Sequence, residues 1–345
     1  MPNHKIMAVP AAVERLVGLQ AQVCEPPYVG LWSRLSGFGR EDLTALIHRR
    51  EIVRATMMRS TLHLVTARDY LRLRGPLQPA LVTVGRGFYG KRLAGLDPQP
   101  LLAAAREFLT ERPRTYADVR ALVATMAGDR DVQALTYAVM RTYLPVVQVP
   151  PAGTWRSPDD PTYALAQPWL GGTPSTEDSP DELVLRYLAA FGPASVADVA
   201  KWAGLTGLAA AMSGLRPRLR VLRDERGTDL LDLPDAELVD ADRPAPVRFL
   251  PEYDNLVLSH ADRTRVISDA DRALVCLSAG RVRATILVDG FVAGAWRVES
   301  GKGPTALVVE PFRPLADAER EALAAEGARL LAFVADAPGE VRFTG

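Results

Sequence analysis

Ser179-Pro180-Asp181-Glu182, Leu183–Ala190, Gly192-Pro193-Ala194-Ser195, Val196–Ala203, Thr206-Gly207-Leu208 through Leu215, then Arg220-Val221-Leu222 and Leu230-Leu231-Asp232-Leu233 around Asp224–Thr228 form the stretch from which the fold is read. Ser179 is a natural helix cap, Pro180 suits the first helical position, and Asp181 and Glu182 place acids where the helix dipole favours them. Ser195 caps a second helix, and a third opens after Gly207. The two apolar runs that follow read as strand, turn and strand. Three short helices and a hairpin are the order of a winged helix-turn-helix.

The same order recurs upstream. Leu101–Thr110, a helix from Thr115, and Val132–Tyr143 are followed by Val146–Val149 and Tyr163–Ala166, which pair as a wing around the loop Pro150–Pro161. In the first segment Val13–Leu19 and Val29–Leu35 have helical spacing, Glu41-Asp42 start a third helix, and Ile52–Val65 reads as a hairpin. Repeats of this size fit tandem units better than one large domain. After Pro244 the texture changes to β-type runs, with Asp289-Gly290 a strong hairpin turn, and Leu315–Phe333 closes as an amphipathic helix. The expected fold class is therefore α+β: three tandem winged helix-turn-helix units and a C-terminal β-barrel-like domain. The expected boundaries are 1–95, 96–175, 176–243 and 244–345, with Gly171–Pro180 a hinge.

Composition narrows the function. The 345 residues carry 41 basic and 41 acidic side chains, which excludes a histone-like polycation but permits a local basic surface. Only Lys5, Lys91, Lys201 and Lys302 are lysines, so arginine dominates. That fits a GC-rich coding bias, although arginine also suits phosphate forks and guanine edges. No apolar run is long enough to span a bilayer, and Met1–Val17 lacks the pattern of a secretion signal. Cys24 and Cys276 stand apart without a C-x-x-C pair, as expected for a reducing cytoplasm. His4, His48, His63 and His260 are scattered, so no metal site is expected. Gly85-Arg86-Gly87-Phe88-Tyr89-Gly90 matches G-x-G-x-x-G, but Gly95, Pro98 and Pro100 follow where a dinucleotide site needs a helix; a flexible loop is the better reading.

Three polar constellations remain. Gly18-Leu19-Gln20-Ala21-Gln22 is bland if helical, because residues two apart on a helix point about 200° away from each other. If Gln20 and Gln22 act together, the backbone there must leave helix geometry. Arg59-Ser60-Thr61-Leu62-His63 puts Arg59, Thr61 and His63 on one face if it is a strand, for a ligand or for solvent. Leu250-Pro251-Glu252-Tyr253-Asp254-Asn255 through His260 and Arg263 is dense in polar groups, either as a buried network or as a nucleic-acid contact.

Together, Leu16–Gln22, Met58–Tyr70, Leu250–Arg263 and Ile286–Trp296 resemble the winged-helix DNA-binding family of AlkZ/YcaQ-type DNA glycosylases. The resemblance implies tandem winged helices and a β-barrel in a C-shape around DNA. It implies that Gln20-Ala21-Gln22 is the catalytic signature, of the AlkZ-like branch rather than the branch with Asp at the third position. It further implies a cofactor-free, metal-free enzyme that excises bulky or crosslinked N7-alkylguanine and protects makers of DNA-alkylating natural products. Both glutamines are then expected to reach one cleft lined by Arg59, Thr61 and His63, with His260 and Arg263 binding DNA from the barrel side. No lysine lies in these motifs to form a Schiff base, so the enzyme is expected to be monofunctional. With no evident aromatic clamp, access without full base flipping is expected. The expected partner is double-stranded DNA bearing alkylated purines, bound by a cytoplasmic monomer. The competing reading is a non-catalytic winged-helix protein, either a transcriptional regulator or an adduct shield.

Overall fold

The computed structural model describes residues 6–93, 95, 97–157, 160–240, 242–300, 304–336 and 338–344. The fold is mixed α/β and divides into two compact units. Val9–Glu25 and Glu41–Ala236 form one; Pro26–Arg40 joins Glu237–Gly345 in the other.

In the larger unit the hairpins of the first two segments are not separate wings. They merge into one six-stranded antiparallel sheet in the order Leu19–Gln20, Leu62–Thr66, Ile52–Thr56, Val146–Gln148, Thr162–Leu165 and Arg114–Thr115. The third segment forms as read: helices Asp181–Phe191, Val196–Ala203 and Leu208–Leu215, then paired strands Arg220–Arg223 and Asp229–Asp232. Ser195 and Asp198 cap the middle helix reciprocally, satisfying two backbone donors that a helix start leaves open. The core of this segment (Leu183, Tyr187, Leu188, Trp202, Met212) is continuous with Val53, Met57, Met58, Val65, Tyr70 and Leu73 of the first. First and third segments therefore stabilise each other through shared apolar burial.

A 23-residue helix, Ala67–Tyr89, runs through the region expected to be a glycine-rich loop. Thr66 caps it by accepting from the Asp69 amide at 3.2 Å, and Tyr70, Leu73, Leu77, Ala80 and Leu81 bury one face. Its glycines serve close packing. A Cβ at Gly75 would lie 2.3 Å from the Glu177 carbonyl oxygen, and one at Gly85 would lie 2.7 Å from Thr142 Oγ1. The expected hinge is also strapped to this helix, since the Ser175 amide donates to the Leu71 carbonyl at 2.6 Å.

In the smaller unit the expected barrel is replaced by an open sheet. Five strands run in the order Gly339–Phe343, Thr305–Pro311, Phe291–Glu299, Thr285–Val288 and Arg248–Leu250, with no closing pair among the described residues. The cause lies in the last connection. Helix Asp317–Val334 carries the chain across so that Gly339–Phe343 pairs parallel to Thr305–Pro311 at one edge, while the three-residue strand Arg248–Leu250 holds the other. Helix Pro26–Trp32, read as part of the first segment, belongs with this sheet. Arg34 makes a two-pronged ion pair with buried Asp254 (2.9 and 2.8 Å), and Trp32 and Phe38 pack on Phe333 with ring centroids 5.9 and 6.0 Å away.

Candidate active site

Helix Val9–Arg15 ends well before the glutamines. Val17 and Gly18 take left-handed backbone angles (φ 54° and 94°), which turn the chain onto the edge of the sheet. A side chain at Gly18 would put its Cβ 2.6 Å from Val65 Cγ1, so only glycine fits this turn. Leu19–Gln20 is then a strand, with Leu19 opposite Leu64 and Gln20 opposite His63. The Ala21 amide donates to the Leu62 carbonyl at 2.7 Å and extends the pairing by one residue. The helical objection to paired glutamines thus disappears. Gln20 is on extended backbone, and the chain bends at Gln22.

Gln20 is buried and Gln22 exposed. Because Ala21 pairs with Leu62, Gln20 and His63 form the adjacent non-hydrogen-bonded pair, in which side chains approach more closely. The Gln20 amide oxygen accepts from Arg59 Nη2 at 2.8 Å, while Arg59 Nη1 donates to the Trp202 carbonyl. Gln22 Oε1 stands 3.5 Å from the Leu62 amide, at the outer limit of a hydrogen bond.

Arg59 does not lie on a strand. It sits in the tight turn Met58–Ser60 with φ 54°, followed by Ser60 at 58°, and the strand begins at Leu62. The expected face shared by Arg59, Thr61 and His63 therefore does not form, and the turn instead aims Arg59 back at Gln20. Thr61 is half-buried and braces the turn by donating its hydroxyl to the Met58 carbonyl at 3.1 Å. Gly204, at φ 74°, backs onto this turn; a Cβ there would lie 3.1 Å from Arg59 Cα. Gly204→Ala is expected to destabilise the protein by about 1–3 kcal/mol and to loosen Arg59, measurable as a lower melting temperature with slower catalysis.

His63 is 1% exposed, and its Nδ1 donates to the Thr61 carbonyl at 3.1 Å. Burial, helped by the Arg59 cation and opposed by that hydrogen bond, pushes its pKa down to about 3. The imidazole is neutral and brings no charge to a phosphate. His260 and Arg263 lie in the smaller unit. His260 is buried with its Nδ1 2.9 Å from Ser259 Oγ; Arg263 donates to the His260 carbonyl (3.3 Å) and to Cys276 Sγ (3.1 Å). Both make hydrogen bonds within their own part of the unit.

Sequence reading missed Arg54. It lies on the strand Ile52–Thr56, nine-tenths buried, and its guanidinium reaches the backbone of the glutamine signature. An arginine amid the apolar residues of a strand is the one signal that marks it. Among the described residues no group of three His, Cys, Asp or Glu side chains is placed to hold a metal ion. No helix among them is long and apolar enough to cross a membrane.

A model of the family described as DNA glycosylase AlkZ-like matches residues 13–333, a span that includes both glutamines, Arg54 and Arg59. The chain belongs to the AlkZ-like DNA glycosylase family. An interstrand DNA cross-link repair glycosylase of Streptomyces sahachiroi is 22% identical over 325 residues, covering 87% of this chain and 84% of that protein. The solved structure of the DNA glycosylase AlkZ from the same organism superposes with a TM-score of 0.82 at 19% identity, over 99% of this chain and 95% of that one. That likeness shows the fold, and with it an AlkZ-like arrangement of helices and sheets. The AlkZ-like chain described here is thus a DNA glycosylase.

Proposed function

We propose that this AlkZ-like glycosylase hydrolyses the N-glycosidic bond of bulky or crosslinked N7-alkylguanine in double-stranded DNA, acting as a monomer. The single observation that carries the site is the strand Leu19–Gln20, with Gln20 clamped by Arg59 and Gln22 exposed in the bend that follows it. The likeness to a cross-link repair glycosylase supports the substrate class, and a role in resistance to a DNA-alkylating natural product accords with it.

The chemistry suits such mild groups. Alkylation at N7 leaves guanine cationic, so the bond from sugar C1′ to N9 breaks with its electron pair passing to the ring, and neutral N7-alkylguanine departs. Water adds to C1′, loses a proton to solvent, and leaves an abasic hydroxyl. No strong general acid is required; positioning water and easing positive charge on the sugar are what remain. The clamp on Gln20 divides the labour. The Gln20 amide oxygen is already engaged by Arg59, whereas Gln22, exposed, offers an oxygen able to orient water and to meet developing positive charge.

The test is base release under metal-free conditions from two duplexes, one with a single N7-methylguanine and one with an N7–N7 interstrand crosslink. Release from either, by a protein that is monomeric in light scattering, supports the proposal, and release from the crosslink alone narrows the substrate. Tight binding to both without release would transfer the account to the adduct-shielding or regulatory reading.

A further inference from the structure

We propose that Arg54 is a positioning residue for the glycosylase reaction: its buried guanidinium holds the carbonyls of Ala21 and Gln22 and so sets the direction in which the Gln22 side chain leaves the sheet. The inference rests on Gln22 working at the reacting sugar. Arg54 Nε donates to the Ala21 carbonyl at 2.8 Å, Nη2 to the Gln22 carbonyl at 3.0 Å, and Nη1 to Gln148 Oε1 at 2.8 Å. Gln148 Nε2 in turn lies 3.2 Å from the Tyr163 hydroxyl. These groups are a cross-strand row, since Arg54 pairs with Gln148 and Gln148 with Tyr163. Arg54 is also opposite Leu64, whereas Gln20 is opposite His63, so the row occupies the sheet face turned away from Gln20.

The ladder itself shows what the fork does. Regular antiparallel pairing after Ala21 accepts nothing from a side chain: the Leu62 amide donates to the Ala21 carbonyl. Here Arg54 takes that carbonyl, and the Leu62 amide is left facing Gln22 Oε1 at 3.5 Å. The strand is thereby ended at Gln20 and the following residue is swung outward. A planar fork fixes its donor directions and so holds two successive carbonyls in one geometry; a rotatable ammonium, a single point of donation, does not fix them. Gly153, at φ 91°, packs against the Arg54 stem, where a Cβ would sit 3.3 Å from Arg54 Cδ.

The experiment compares Arg54→Met, Arg54→Lys and Gln22→Ala in single-turnover base release, in affinity for the adduct duplex, and in the side-chain amide NMR signal of Gln22, with exposed Gln133 as reference. Arg54→Met is expected to slow release about 10- to 100-fold, the scale of an ångström-level misplacement, with affinity within about threefold and a displaced Gln22 signal. Arg54→Lys is expected to match it. Release at the wild-type rate with an unmoved Gln22 signal overturns the proposal. So does an Arg54→Lys variant of full activity, which would assign the effect to charge rather than geometry. If Arg54→Met fails to fold, Gln148→Met removes only the third acceptor of the fork; a slower rate with a shifted Gln22 signal upholds the inference, and no change in either overturns it. Wild-type release by Gln22→Ala would instead sink the underlying reading of Gln22. An inactive Gln22→Ala beside a fully active Arg54→Met sinks only the role of Arg54.

Discussion

Gln22→Ala is expected to lower single-turnover base release by about 10²- to 10³-fold, the loss typical of removing one preorganised polar group from a reacting centre. Its affinity for the adduct duplex is expected to stay within a few-fold, and its melting temperature to hold. The exposed position of Gln22 accounts for the second expectation, because its contact with the Leu62 amide, at 3.5 Å, is already at the outer limit of a hydrogen bond. Gln20→Ala is expected to act differently. It removes the acceptor of the Arg59 fork, so activity and stability fall together. Gln22→Asp supplies a carboxylate in place of the amide and is expected to retain release, since a formal negative charge stabilises a sugar cation better than a carbonyl dipole. Equal melting temperatures with equal activities for the two alanine variants would contradict this division.

The second large effect is on acid stability. His63 has its folded pKa pushed down to about 3 from an ordinary value near 6.5, first by burial and then by Arg59. Its contribution is fully present above about pH 6.5 and is lost as pH falls toward about 3, because only the unfolded chain takes up the proton readily. At about 1.4 kcal/mol per unit, lowering the pH from 6.5 to 4.5 removes on the order of 3 kcal/mol, a large share of a typical domain's stability. His63→Asn keeps a donor for the Thr61 carbonyl but does not titrate. Urea unfolding at both pH values is expected to show a smaller acid loss in His63→Asn than in the wild type, by about 2–3 kcal/mol. Identical losses would mean that His63 is not held neutral. Base release itself is expected to be flat from pH 6.5 to 8.5, because neither glutamine titrates.

Much of the local structure was legible where its cause is local. Ser195 with Asp198 and Thr115 with Asp118 form the capping boxes their spacing suggests. Asp289-Gly290 adopts the paired positive φ angles of a tight hairpin turn. What escaped the sequence is decided by partners far along the chain. Gln20 is a strand because Leu62–Thr66 offers an edge and Gly18 turns the chain onto it; two residues have no periodicity of their own. Arg54 acts 33 residues from Ala21. Gly85 looked like a loop former, but it lets Thr142 approach a helix, as Gly75 does for Glu177. The barrel reading failed because strand-rich sequence does not say which edges meet. Similarly, the polar stretch ending at Arg263 fitted a buried network and a nucleic-acid contact alike, and only the fold shows His260 buried.

The central claim, that the exposed glutamine beside the Arg59 clamp performs base excision, is tested most directly by one measurement. Single-turnover base release from a duplex bearing an N7–N7 interstrand crosslink is followed for the wild type and for the combined Gln20→Ala/Gln22→Ala variant, both at protein concentrations that saturate the DNA. The account predicts release by the wild type and, for the double variant, DNA bound but released no faster than spontaneous depurination. Release by the double variant at the wild-type rate would contradict it, and would place the chemistry elsewhere in the molecule.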